Sequence, residues 1–74
     1  MTTLSVTHNF VPFFYSSTIV DYFKNFNIEV KEISSDINTD VEYIFEVEAD
    51  LNVEEKQNIT SELEDNYQVQ INFS

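Results

Sequence analysis

The sequence contains no cysteine, no glycine, no tryptophan and no arginine, and it has a single proline, Pro12, and a single histidine, His8. Each absence removes a class of chemistry. Without Cys there is no disulfide framework, no CxxC redox pair, no thiolate zinc site and no iron–sulfur ligation. Without Gly there is no P-loop and no GxGxxG turn, whose backbones must approach a phosphate closely. Without Arg there is no planar fork to hold phosphate or carboxylate bidentately. The N-terminal stretch MTTLSVTHNF has neither a basic flank nor a long apolar run. No signal peptide and no membrane span is therefore expected, and the expected location is the cytoplasm.

Positive charge is scarce as well. Fourteen Asp and Glu face three Lys, for a net charge of −11 over 74 residues. Phosphate neutralisation supplies most of the affinity of a nucleic-acid binder, so direct binding of nucleic acid is not expected. What remains is a folding composition, 42% apolar and 15% aromatic. At this length the expectation is one domain, residues 1–74, burying about 60% of its extended surface, so its core is thin.

The pattern divides into six elements. Residues 4–10 alternate, with Leu4, Val6, His8 and Phe10 on one face, and predict a half-buried strand. After Pro12, the residues Ser16, Ser17 and Thr18 are each good helix N-caps, and Asp21 stands three residues after Thr18 in the capping-box position. Ile19, Phe23 and Phe26 then form a helical stripe flanked by Tyr22, and Asn27 suits a left-handed C-cap. Residues 28–33 read as a second strand and 34–40 as a polar loop. Residues 41–49 give the cleanest strand, with Val41, Tyr43, Phe45, Val47 and Ala49 alternating against Glu42, Ile44, Glu46 and Glu48. Asn52 with Glu55 opens a second helix running to about Asp65, with Ile59, Leu63 and Tyr67 inward and the Lys56 stem behind them. Residues 68–73 form a last strand with Val69, Ile71 and Phe73 inward.

The order β-α-β-β-α-β with one-sided strands calls for an α+β two-layer sandwich, both helices on one face of an antiparallel sheet. This is the ferredoxin-like arrangement, for which the strand order 4-1-3-2 is expected. The functions this arrangement hosts elsewhere each lack a required residue here. RNA-recognition domains need aromatics on the open face of the central strands, where this chain would place Ser5, Thr7, Asn9, Glu42, Ile44 and Glu46. Metallochaperones need CxxC, acylphosphatases an Arg, and amino-acid-binding regulatory domains a glycine-bearing loop where this chain has Val11-Pro12-Phe13-Phe14-Tyr15. No enzyme, cofactor or metal site is expected. A binding role is.

The acids are unevenly placed. Asp21 alone precedes residue 29, and the other thirteen of the fourteen lie from Glu29 to Asp65. On the third strand Glu46 and Glu48 would point the same way about 6.6 Å apart at strand rise, close to the spacing of successive phosphates on a DNA strand, with Glu42 continuing the row. On the second helix Glu54 and Asp65 point outward, Glu55 and Glu62 lie on one flank and Glu64 on the other. A merely soluble surface interleaves Lys or Arg among its acids, because like charges at close spacing are destabilising. A short acidic chain with carboxylate rows such as Glu42/Glu46/Glu48 and no catalytic motif resembles, in size and composition, the small phage-encoded inhibitors. These include DNA mimics that block restriction enzymes, repair enzymes or CRISPR effectors. The resemblance implies a stoichiometric inhibitor acting in the host cytoplasm, whose carboxylates occupy the phosphate groove of a basic nucleic-acid-binding protein. The candidate partner-binding residues are Glu42, Glu46, Glu48, Glu54, Glu55, Glu62 and Asp65, joined by Phe14 as an outward ring of the aromatic loop.

The alternative is a ferredoxin-like homodimeric structural or regulatory module whose acids only solubilise it. Its contact would be the open sheet face or the last strand, Gln68-Val69-Gln70-Ile71-Asn72-Phe73, which carries no charge and no Pro to protect an edge. Two weaker signals are structural. Asp36-Ile37-Asn38-Thr39-Asp40 matches the start of a calcium loop, but the Gly and bidentate Glu positions hold Val41 and Val47, so Asx turns are expected instead. His8, alternating with apolar neighbours, is expected in or beside the core.

Overall fold

Val41, Phe45 and Val47 bury their side chains while Glu42 between them is exposed, the period-2 pattern of a strand with one face in the core. In the computed structural model, which describes residues 2–74, this stretch is β3, Val41–Val47, an interior strand of a four-stranded sheet. Strand β1, Thr2–His8, pairs antiparallel with β3 from Thr2↔Val47 to His8↔Val41. Strand β2, Val30–Ile37, flanks β3, and the short β4, Gln70–Phe73, flanks β1. The order is β2-β3-β1-β4 with every neighbour antiparallel. Two helices, α1 (Ser16–Lys24) and α2 (Val53–Asn66), complete a small α+β fold in the expected element order.

Ile19 and Phe23 from α1 and Leu63 from α2 enter one cluster with Leu4, Val6, Val30, Phe45 and Val47. Both helices therefore cover the same face of the sheet. That cluster is the thin core expected of a chain this short, and few of its members are dispensable. Among the described residues no helix is long and apolar enough to cross a membrane.

The helix termini show how a glycine-free chain closes its ends. Asn52 accepts from the Glu55 N–H at 2.7 Å, and the Glu55 carboxylate accepts from the Asn52 N–H at 3.0 Å, the reciprocal capping box the sequence predicts. At the end of α1, Asn27 stands at φ 59, its N–H bonded to the Lys24 carbonyl and the Ile28 N–H to the Phe23 carbonyl. This is a Schellman closure with Asn in the left-handed position.

Several expectations need correction. Strand β1 runs 2–8 rather than 4–10: Phe10 leaves the ladder at φ 51 and is 54% exposed, so it does not share the core face. The N-cap of α1 is Tyr15, not Ser16, Ser17 or Thr18. Its N–H donates to the Thr18 hydroxyl and its carbonyl accepts from the Thr18 N–H, so Thr18 occupies the third helical position rather than the first. Phe26 lies beyond the helix and is exposed. Strand β2 covers 30–37, not 28–33, absorbing Ser34–Ile37 from the expected loop. Ser34, Ser35 and Asp36 have little strand propensity of their own, and pairing with β3 overrides it. Only Asn38-Thr39-Asp40 turns the hairpin, and there the Asn38 amide donates to the Asp36 carboxylate at 3.0 Å.

Candidate functional site

The sheet face away from the helices is built by register. Across it run three rows: Lys31–Glu46–Thr3, then Ser34–Ile44–Ser5–Asn72, then Asp36–Glu42–Thr7–Gln70. Asp36 and Glu42 are thus direct cross-strand partners, both exposed, and the turn beside them adds the exposed Asp40. Like charges directly opposite in an antiparallel pair are destabilising. The first row differs, because Lys31 stands opposite Glu46.

Of the expected row on the third strand, Glu42 and Glu46 share this face with Ile44 between them, and Glu48 lies one residue past the end of β3. β3 ends at Val47, the Ala49 N–H bonds the Val47 carbonyl at 2.8 Å, and Glu48 sits in the resulting bend, its N–H held by the Glu29 carbonyl.

Glu54, Glu55, Glu62 and Asp65 lie on α2, in the layer covering the opposite face, so they form no single surface with Glu42 and Glu46. Two of them already hold internal partners. Glu55 closes the capping box, and the Glu62 carboxylate takes a hydrogen bond from the Tyr22 hydroxyl. Partial burial, with this bond and the carboxylate's charge added, pushes the Tyr22 phenol up to about 12. Tyr22 and Glu62 line a 380 Å³ cleft between the helices, together with Phe26, Ile28, Leu51 and Ile59.

Phe14 faces inward, not outward. It is 4% exposed, with its ring centroid 4.9 Å from His8 and 5.3 Å from Tyr67, both near edge-to-face. The outward ring of that loop is its neighbour Phe13, 87% exposed at φ 63. Continuing the helical stripe back from Ile19 would turn Phe14 outward, but the helix starts only at Ser16 and the chain turns at Phe13, a left-handed residue that no glycine announced. His8 is buried as expected. Its Nδ1 accepts from the Val11 N–H at 3.1 Å, its Nε2 has no partner among the described residues, and burial pushes its pKa down.

The two sheet edges differ. On β4 the Ile71 N–H, which faces away from β1, donates to the Glu64 carboxylate at 3.1 Å, so this edge is not as unprotected as its uncharged sequence suggests. On β2 every residue from Lys31 to Ile37 is exposed, including Ile33 at 54% and Ile37 at 65%. Sequence reasoning missed this edge and the Asp36–Glu42 pair together, because both depend on the strand extending past residue 33. In comparisons with known protein families, curated proteins and solved structures, the chain matches none.

Proposed function

We propose that this protein is a non-catalytic acidic inhibitor that binds a basic nucleic-acid-handling protein, such as a CRISPR effector, restriction or repair enzyme or nuclease, through a phosphate-like carboxylate surface. The observation that carries the reading is the cross-strand pairing of exposed Asp36 with exposed Glu42 on the sheet face that no helix covers. Such a pair lowers stability, and with the neighbouring Asp40 it presents adjacent negative charges with no Lys in its row or its turn. A partner whose groove is lined with Lys and Arg would gain from that arrangement what the isolated domain loses. Glu46 extends the surface at its Lys31-paired row. Read from its β4 edge the sheet is 4-1-3-2, and we assign the ferredoxin-like arrangement on that order and the shared helix face. The bond from Ile71 to Glu64 weighs against homodimer formation through the last strand.

The test is inhibition of a panel of purified DNA-cutting enzymes, each with its duplex substrate, from about 50 to about 200 mM salt. The expected result is stoichiometric inhibition of at least one enzyme, competitive with DNA and weakening steeply as salt rises. Asp36→Lys with Glu42→Lys should weaken it at least tenfold. Inhibition that is flat with salt, or indifferent to those two reversals, overturns the reading.

A further inference from the structure

The exposed edge of β2 is the least finished part of the sheet, and its chemistry specifies what would complete it. The Asn38 N–H bonds the Asp40 carbonyl, which fixes the alternation of the ladder on this side of the bulge between Glu32 and Ser34. Asp36 and Ser34 then direct their backbone groups to β3, while Ser35 and Ile37 direct their N–H and C=O groups outward. Side chains alternate the other way. Asp36, opposite Glu42, lies on the open face, whereas Ile37, opposite Val41, lies on the helix-side face and remains 65% exposed. Among the described residues no helix or loop covers this edge: Lys31 to Ile37 are all exposed.

We propose that the Ser34–Ile37 half of β2 accepts a short extended segment of a protein partner, one that alternates Lys or Arg with Val or Ile, as a fifth strand. Main-chain bonds to Ser35 and Ile37 supply the pairing, as in other strand-addition modes. On the open face the basic side chains of the segment lie beside Asp36, with Glu42 one strand further in. On the other face its apolar side chains cover Ile37. Charge opposes a second copy of this chain at the same edge. Antiparallel self-pairing centred on Ser34 sets Glu32 against Asp36, and each copy brings a net charge of −11. The bulge limits the usable edge to one short segment, which also opposes open-ended sheet growth. On the other edge Glu64 already occupies the Ile71 N–H, so the two edges are not equivalent docking sites.

This inference rests on the reading of the protein as a binder of a basic partner, and it fails separately from it. The probe is a synthetic peptide of about eight residues alternating Lys with Val, long enough for one ordinary strand. At saturating peptide, amide exchange at Ser35 and Ile37, read by NMR, should slow at least tenfold. Ser35→Pro removes an outward donor without touching the inner ladder, and should weaken peptide binding at least tenfold with the melting transition retained. If that variant does not fold, N-methylation of the Ser35 nitrogen in a chemically synthesised chain makes the same deletion and carries the same expectation. Unchanged exchange at Ser35 and Ile37, absence of peptide binding, or full binding by the N-methylated chain overturns the proposal. So does slowing of those amides by protein concentration alone, which would identify a second copy as the occupant. Salt-sensitive enzyme inhibition that survives N-methylation of Ser35 would leave the acidic-surface reading standing and remove only the edge.

Discussion

Adjacent phenylalanines in the loop after β1 do opposite things, and the difference can be measured. Phe14 fills the end of the core against His8 and Tyr67, whereas Phe13 holds a left-handed backbone with its ring in solvent. Phe14→Ala is expected to cost about 3–5 kcal/mol, most of the stability a domain of this size possesses. Phe13→Asn gives up little burial and relieves a conformation that costs a bulky residue about 1–2 kcal/mol, so it should raise the denaturation midpoint. Equal destabilisation by the two substitutions would refute the assignment. His8 gives the residue scale a pH signature. Burial favours its neutral form, so the folded pKa lies below the unfolded value of 6.5. Above 6.5 both states are neutral and His8 contributes no slope. As pH falls through 6.5 the unfolded chain takes up the proton first, and stability declines until the folded pKa is passed. Urea midpoints measured between about pH 7.5 and about pH 5 should fall with acid, and His8→Gln should lose the part of that slope that His8 supplies. A midpoint independent of pH in that window would mean the imidazole is not desolvated.

At the scale of elements, what the sequence made legible was whatever depended on strict periodicity or on short-range capping. The alternation from Val41 to Val47 placed the central strand, and the Asn52/Glu55 spacing placed the start of α2 and its reciprocal bonds. Asn27 was identifiable as a C-cap because, without glycine, Asn is the residue that best tolerates the left-handed region. What stayed hidden depended on a neighbour or on an unannounced turn. Ser34–Ile37 is strand because β3 pairs with it, and a bulge at residue 33 shifts the register, so no period in the chain betrays it. The third strand stops at Val47, two residues before the expected end at Ala49, because the Ala49 N–H closes a tight turn on the Val47 carbonyl. The candidate site inherits this division. Glu42 and Glu46 were readable from parity alone, whereas Asp36, which faces Glu42, becomes visible only with the sheet assembled. Glu55 and Glu62 counted as surface acids in one dimension and in three dimensions serve the capping box and the Tyr22 hydroxyl.

For the whole molecule the governing quantity is charge density. Fourteen carboxylates and three ammonium groups share a body with a radius of gyration of 11.4 Å. The screening length is about 30 Å at 10 mM salt and about 8 Å at 150 mM, so at low salt each acid feels nearly all the others and at physiological salt only its neighbours. Unfolding spreads the same charges over a chain whose radius of gyration is about 26 Å, so repulsion is stronger in the folded state and is the term that salt removes. Raising sodium chloride from about 10 to about 150 mM should therefore raise the melting temperature, by about 4–8 °C if screening recovers about 1 kcal/mol in a domain of this size. Asp36→Asn removes one member of the cross-strand acid pair, and should both raise the melting temperature at low salt and reduce its dependence on salt. A melting temperature that does not rise with salt would show that the acids are already dispersed enough to be harmless. The Asp36–Glu42 pair would then carry no stability penalty for a basic partner to offset, and the physical reason for reading this face as a binding surface would be gone.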